Sequence, residues 1–225
     1  IDCGNGVTGA VAKSIFSAFK INAYIINESV DGNFPNHPPD TSNEKNLVQL
    51  KDEIKSNKSS IGFAYDGDGD RIIALKGNGD IIWPDQLMIL FSRSILKNNR
   101  DAKIVYDVKC TKHLEDEIIK NNGIPVLSRT GHSFIKKAMI KEKALLGGEM
   151  SGHIFFADKW KGFDDGIYAG ARLLEILSFF DNPSEILEAL PKGFSTPELN
   201  IELNEGEQHK LIEKLQKEAT FPKAN

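Results

Sequence analysis

The chain has 225 residues, of which 40% are hydrophobic and 27% charged, with a formal net charge of −4. This composition is typical of an ordinary globular protein, and the charge does not indicate a nucleic-acid-binding surface. No apolar run approaches the roughly 18 residues that a membrane span needs. Cys3 and Cys110 fit neither a disulfide framework nor a CxxC metal pattern. We therefore predict a cytoplasmic protein that binds neither nucleic acid nor membrane.

Both ends of the chain resemble parts of larger elements. Ile1-Asp2 has the pattern of a strand end that enters a glycine turn, and residues 197–225 have the pattern of one strand and one amphipathic helix. Two elements cannot bury a core of their own. We expect an internal piece of a longer protein.

Between the ends, β-rich runs alternate with helical periodicity. The predicted elements, in chain order, are helix 8–19, strand 23–27, helix 44–56, strand 60–66, hairpin 71–83, helix 84–98, strand 102–108, helix 111–121, strand 124–128, helix 132–141, strands 144–149 and 153–157, and a helix from about 164 to 180. This order predicts an α/β fold with two tandem three-layer domains, whose sheets are mixed but mainly parallel, and the beginning of a further α+β domain. Boundaries near 80–85 and 191–196 divide the chain into 1–82, 83–192 and 193–225.

Three aspartates lie close together between two apolar runs, at Asp66, Asp68 and Asp70. On a straight strand the first and last would be about 13 Å apart, at roughly 3.3 Å per residue, too far apart to share one ion. Gly67 and Gly69 allow the chain to curl there. Carboxylates without His or Cys nearby favour a hard cation such as Mg²⁺. A solvated Asp/Gly turn is the plainer alternative.

Two other aspartate motifs can be compared with this loop. An EF-hand needs Gly at loop position six and Glu at position twelve, where this chain has Arg71 and Gly77, so that motif is excluded. A haloacid-dehalogenase-type phosphatase begins D-x-D-G followed by Thr or Val, and Asp70 breaks this pattern. Its later acidic pair would be Asp164-Asp165, which opens a helix. The phosphatase stays open as an alternative.

A second polar group follows the strand at 144–149. Glu149, Ser151 and His153 occupy alternate positions, which would place their side chains on one side of an extended segment. A carboxylate, a hydroxyl and an imidazole suit the adjacent hydroxyls of a polyol, because each hydroxyl donates and accepts. A polar β-turn with a surface histidine is the alternative.

Two further residues follow predicted strands. Lys109 follows the strand at 102–108, at the sheet edge where open α/β folds bind ligands. His132 lies at a strand–helix junction, where backbone amides could hold a phosphate. A solvated lysine and a helix-capping histidine explain the same two positions without a ligand.

Several of these segments together carry a family resemblance. The segments concerned are DGDGDR, DVKCT, TGHS, GGEMSGH, GFDDGIY, DCGNGVTG and VDGNFPNHPPD. Together they resemble the α-D-phosphohexomutase superfamily, above all its bacterial phosphomannomutase/phosphoglucomutase branch. The resemblance extends over nearly the whole chain. GEMSGH is its most specific part, since phosphoglucosamine mutases usually have Gln at Met150. The segment PPDTSNEKNL departs from the family pattern in having fewer prolines, outside the proposed site.

The resemblance implies a reaction and a role for each motif. The family transfers a phosphoryl group reversibly between the 1- and 6-positions of hexose phosphates, through a phosphoserine and a hexose 1,6-bisphosphate. The aspartates would hold Mg²⁺, Arg71 would orient the phosphoserine or an aspartate, and Lys109 and His153 would manage the hydroxyl proton. The substrate-binding residues implied are Lys109, His132, Glu149, Met150, Ser151, Gly152 and His153.

The resemblance also implies parts that this sequence does not contain. The family has four domains, and this chain resembles the second, the third and the opening of the fourth. The sequence has neither a Thr-Ala-Ser-His-Asn-Pro-type serine loop nor an Arg-x-Ser-Gly-Thr-type phosphate clamp. We expect a monomer whose flanking domains belong to the same polypeptide, and an isolated chain that is inactive. The open alternatives are a Mg²⁺-dependent phosphatase of the dehalogenase type and a non-catalytic fragment that binds metal or sugar phosphate.

Overall fold

The computed structural model describes residues 1–193 and 201–220. The helices are α1 Gly9–Ser17, α2 Val48–Asn57 with a 3₁₀ turn Glu44–Leu47 before it, α3 Pro84–Leu96, α4 Lys112–Lys120, α5 His132–Glu142, α6 Gly166–Leu177, α7 Pro183–Glu188 and α8 Glu207–Glu218. The strands are β1 Ile61–Tyr65, β2 Ile72–Lys76, β3 Ile81–Ile82, β4 Lys103–Asp107, β5 Ile124–Ser128, β6 Leu146–Gly148 and β7 Ile154–Phe156. The predicted α/β class is confirmed. No helix in the described ranges is long and apolar enough to cross a membrane.

The strand predicted at 23–27 is wrong as a full strand. Only Ile26 pairs, through an isolated parallel bridge to Asp2, and Asp2 also bridges in parallel to Ala64. Asp2 forms a single bridge with each of these two neighbours, so no continuous ladder is present there. Helix α7, with Pro183 in its first turn, was not predicted.

The two sheets differ in their pairing. The first has the order β1-β2-β3 and is antiparallel throughout, because short connections join its consecutive strands. The second has the order β5-β4-β6-β7, in which β4 runs parallel to β5 and β6, while β7 returns antiparallel to β6. The parallel strands therefore end at a common edge, at Asp107, Ser128 and Gly148.

One apolar core joins the two sheets. Its buried members include Tyr65 and Ile72 from the first sheet and Phe156 from the second. Helix α6 packs against α3, β7 and both long strands of the first sheet, so it is buried on more than one side. Gly170 on α6 makes this packing possible, since a Cβ there would lie 2.4 Å from the Tyr65 hydroxyl. The shared core fixes the loops of both sheets relative to each other.

Residues 1–193 form one compact unit and 194–225 a second. In the second unit, the described residues 201–220 contain α8, as the amphipathic pattern predicts. The strand predicted within 197–204 and the boundary at 191–196 fall partly outside the described residues. Residues 201–204 are not in a strand.

Candidate active site

The aspartate loop curls as the two glycines predict. Ligand oxygens of Asp66, Asp68 and Asp70 all lie within 4.8 Å of one another. Gly69 has a φ of +79°, and a Cβ there would lie 2.4 Å from Thr8 Cγ2. A side chain at this position would therefore meet both backbone strain and a clash. The curl brings together three carboxylates that a straight strand would separate.

Asp66 shapes the loop from inside the protein. Its carboxylate is fully buried and accepts hydrogen bonds from the amides of Gly69 and Arg71, each at 3.1 Å. The Arg71 guanidinium adds a bond of 2.6 Å from Nε to Oδ2. Charged hydrogen bonds of this kind offset the cost of burying a carboxylate. Arg71 therefore holds the Asp66 carboxylate in place.

The loop carries more negative charge than its neighbours neutralise. Burial, together with the charges of Asp66, Asp68 and Asp164, raises the pKa of Asp70 to about 6. Oδ1 of Asp70 is buried and makes no hydrogen bond within the described residues. An oxygen-only donor set with excess charge and an unsatisfied buried oxygen fits a hard divalent cation such as Mg²⁺.

The other predicted site residues lie at the carboxyl edge of the second sheet. Lys109 is exposed in the turn after β4, and His132 is the first residue of α5, after β5. Residues 149–153 connect β6 to β7. Because β4, β5 and β6 are parallel, all three connections leave the same edge, which is the edge predicted for Lys109.

The expectation of an extended segment at 149–153 is wrong. The Gly152 amide donates to the Glu149 carbonyl at 3.1 Å, and the Glu149 amide donates to the His153 carbonyl at 3.0 Å, so the segment is a tight turn. Gly152, with a φ of +103°, supplies the left-handed residue of this turn. Alternation along a strand therefore does not set the directions of Glu149, Ser151 and His153.

Glu149 is buried rather than open at the surface. Its Oε1 accepts a hydrogen bond from the amide of Gly131, which ties the 149–153 turn to the start of α5. Burial raises the pKa of this carboxyl, although the Gly131 amide and His153 oppose the change. The turn and the helix start therefore form one connected surface.

The aspartate loop and the 149–153 turn are in direct backbone contact. Arg71 and His153 form an isolated antiparallel bridge, and the Ile72 amide donates to the Gly152 carbonyl at 3.2 Å. Nδ1 of His153 lies 3.4 Å from Oδ2 of Asp70, and its ring stacks on His132 with centroids 5.4 Å apart. Burial lowers the pKa of His153, against the opposing charges of Asp164 and Glu149. The two predicted motifs therefore meet at one site.

Sequence reasoning missed an acidic group that links these parts. Asp164 Oδ2 lies 3.1 Å from His153 Nδ1 and 3.5 Å from His132 Nδ1, and its Oδ1 accepts from Lys136 at 3.0 Å. Burial opposes ionisation of Asp164, but the Lys136 hydrogen bond lowers its pKa. Its only sequence signal was the acidic pair in GFDDGIY. Nothing local distinguished Lys136 from the other lysines of α5.

Asp107 is a second missed residue. It is fully buried at the end of β4 and accepts from the Thr130 hydroxyl at 3.0 Å, the Cys110 thiol at 3.1 Å and the Met150 amide at 3.4 Å. These donors lie in the three loops at the sheet edge. Asp107 therefore holds the loops that present Lys109, His132 and the 149–153 turn.

Gly166 provides a test of how the aspartate loop is supported. Its amide donates to the Gly69 carbonyl at 3.0 Å, and a Cβ at Gly166 would lie 2.8 Å from the Arg71 carbonyl oxygen. Gly166→Ala should lower the free energy of unfolding by about 1–3 kcal/mol, as overpacking against backbone does. It should also weaken Mg²⁺ binding, because the loop must shift. Urea unfolding and Mg²⁺ titration by calorimetry measure the two effects.

Gly32→Ala is the matched control, since nothing lies within 4 Å of a Cβ built there. It should leave both quantities unchanged. If Gly166→Ala and Gly32→Ala have the same free energy of unfolding and the same Mg²⁺ affinity, α6 does not support the aspartate loop closely.

Family sequence models match two consecutive parts of the chain. The one described as "Phosphoglucomutase/phosphomannomutase, alpha/beta/alpha domain II" matches residues 1–79, and the one for domain III matches residues 83–194.

Relatives and solved structures agree with this match. The chain is 50% identical over 222 residues to a phosphoglucomutase of Neisseria gonorrhoeae and 46% identical over 226 residues to a phosphomannomutase/phosphoglucomutase of Pseudomonas aeruginosa. These alignments cover 98% and 100% of this chain but 48% and 49% of the relatives, so the chain spans about half their length. A phosphoglucomutase/phosphomannomutase family protein of Burkholderia thailandensis superposes with a TM-score of 0.93 at 45% identity, over 100% of this chain and 48% of that one. The chain belongs to the phosphoglucomutase/phosphomannomutase family, of which it contains domains II and III.

Proposed function

We propose that the protein transfers a phosphoryl group reversibly between the 1- and 6-positions of mannose or glucose phosphates, through a phosphoserine and a hexose 1,6-bisphosphate. The observation that carries this proposal is the backbone bridge between Arg71 and His153. It joins the acidic loop, which suits a cation, to the turn that carries Glu149 and Ser151, which suits sugar hydroxyls. A phosphorylated sugar needs both surfaces at once.

In this proposal the two halves of the first unit have different tasks. Residues 1–82 supply the metal-binding loop, residues 83–192 supply the sugar-binding edge, and residues 193–225 begin a further domain. The phosphoserine and a phosphate clamp come from flanking domains of the same polypeptide. We further propose a cytoplasmic monomer, in keeping with the free thiols of Cys3 and Cys110.

The aspartate loop would supply the metal site of the reaction. Asp66, Asp68 and Asp70 are the residues that would hold Mg²⁺, which when bound neutralises charge on a phosphoryl group in transfer. Arg71 keeps Asp66 in place through its 2.6 Å bond. Its guanidinium side chain is 35% exposed, which leaves part of it accessible to a phosphate.

The sheet edge would hold and deprotonate the sugar. Glu149 and Ser151 bind hydroxyls that occupy equivalent places in both orientations of the bisphosphate, assisted by Met150 and Gly152 of the same turn. His132 contacts the sugar or its phosphate. Lys109 and His153 are the candidates that exchange the hydroxyl proton, and the lowered pKa of His153 favours the neutral imidazole that can accept it.

Mg²⁺ binding by this chain tests the assignment of the metal loop. We expect weak binding, because the chain supplies three carboxylates and water must complete the shell. Asp68→Asn should weaken binding by about tenfold, since the site loses one charged ligand near two others. Asp68 is exposed, so the change should leave thermal stability nearly intact. Calorimetric titration of both proteins measures the difference.

Asp52→Asn is the control, because Asp52 is an exposed acid on α2 and belongs to no group of potential metal ligands in the described part of the chain. It removes the same charge from the chain and should leave Mg²⁺ affinity unchanged. If Asp68→Asn binds Mg²⁺ as tightly as Asp52→Asn, Asp68 is not a ligand and the assignment fails.

A further inference from the structure

A second group of potential ligands lies beside the aspartate loop. It consists of Asp70, His153 and Asp164, whose ligand atoms all lie within 4.8 Å of one another. His153 is central: its Nδ1 is 3.4 Å from Oδ2 of Asp70 and 3.1 Å from Oδ2 of Asp164. The group therefore combines one imidazole nitrogen with two carboxylates, unlike the oxygen-only set of Asp66, Asp68 and Asp70.

Two donor atoms of this group lack hydrogen bonds. Within the described residues, Nδ1 of His153 and Oδ2 of Asp164 are buried and make none. The Asp164 side chain is only 9% exposed, yet its Oδ2 points at the imidazole. Buried polar atoms are normally satisfied, so two that face each other indicate that something else binds there.

Two basic side chains lie beside the carboxylates of this group. Lys136 lies 3.0 Å from Oδ1 of Asp164, and Arg71 Nε lies 3.8 Å from Oδ1 of Asp70. In both carboxylates the other oxygen, Oδ2, faces His153. The basic side chains therefore partly balance the acidic charge through the carboxylate oxygens that do not face His153.

The two donor separations at His153 are close to those around a tetrahedral ion. With bonds of about 2.0–2.1 Å, two ligands of a tetrahedral centre are separated by about 3.3–3.4 Å. The two separations at His153 Nδ1 are 3.4 Å and 3.1 Å. Small side-chain movements would bring both to the required value.

We propose that Asp70, His153 and Asp164 form a second metal site, for a transition-metal dication such as Zn²⁺. Zn²⁺ takes His nitrogen and Asp oxygen in a four-coordinate shell, and three protein ligands leave one position open to water. Mg²⁺ is not the ion of this site, because it prefers an octahedral shell of oxygens.

The site shares Asp70 with the aspartate loop. Zn²⁺ bound there would take Asp70 away from Mg²⁺ and would hold His153 through Nδ1. Zn²⁺ would therefore act as an inhibitor of any reaction that uses both residues. The site itself goes beyond the proposed function, since Zn²⁺ binding needs no sugar phosphate and no other domain.

Zn²⁺ titration of this chain, in competition with a chromophoric chelator, tests the proposal. His153→Gln and Asp164→Asn should each weaken Zn²⁺ binding by about 100-fold or more, since losing a direct ligand costs at least as much as the roughly 10–100-fold lost with an outer-shell partner. His209→Gln, on exposed α8, should leave the affinity unchanged. Asp68→Asn should have a much smaller effect, because it removes a nearby charge and no ligand.

The ¹⁵N histidine spectrum of the wild-type chain gives an answer that does not depend on the folding of any variant. Adding Zn²⁺ should change the resonance of one histidine at Nδ1, as direct coordination does. Equal Zn²⁺ affinity in the wild type and His153→Gln would overturn the proposal, as would a wild-type spectrum in which no Nδ1 responds. Either result leaves the sugar-phosphate proposal untouched, since that is tested by turnover.

Discussion

Glu149→Gln in the full-length protein should lower kcat/KM for glucose and mannose phosphates alike. We expect a loss of about 10- to 100-fold, because a hydrogen bond to a charged group contributes about 1.5–3 kcal/mol. Gln keeps the shape of Glu149 and retains a carbonyl oxygen for the Gly131 amide, so the turn should stay in place. The loss should therefore report the missing charge toward sugar hydroxyls common to both substrates.

The measurement is steady-state kinetics with each sugar 1-phosphate. Glu44→Gln is the control, since Glu44 is 61% exposed and lies before α2, and it should leave both substrates unaffected. A large loss confined to one sugar would mean that Glu149 reads the 2-position, where the two sugars differ. That result would contradict the role proposed here.

Local sequence patterns predicted most of the helices and strands. The glycine-rich aspartate loop, the β2–β3 hairpin and the helix that begins at Pro84 depend on residues close in the chain, and all three are observed. No local pattern predicts the meeting of the aspartate loop with the 149–153 turn. It depends on the packing of α6 against both sheets, which no short segment encodes.

The wrong strand prediction and the contacts that were not predicted have the same physical origin. The strand at 23–27 has apolar residues that favour a strand, yet a ladder also needs a partner, and only Ile26 pairs with Asp2. Asp164 and Lys136 matter because folding brings them to His153 from separate elements. The bond between Glu149 and the Gly131 amide likewise joins two loops. Such contacts between distant segments are invisible to periodicity and spacing.

This chain alone should show no mutase turnover. In the proposed mechanism the transfer would depend on positioning and charge neutralisation around a phosphoserine, and the sequence contains no serine loop of the family type. In this account Asp66 is a metal ligand and not a phosphoryl carrier, and the Gly69 amide and the Arg71 guanidinium hold its carboxylate in place. A dehalogenase-type phosphatase would instead use Asp66 as its nucleophile and would keep its hydrolytic activity.

The most direct test is to incubate this chain with Mg²⁺ and mannose or glucose 1-phosphate, and to follow both free phosphate and the 6-phosphate. We predict that neither forms with this chain, and that the 6-phosphate appears when the flanking domains are present in the same polypeptide. Steady phosphate release by this chain, abolished by Asp66→Asn, would contradict the account and identify a phosphatase.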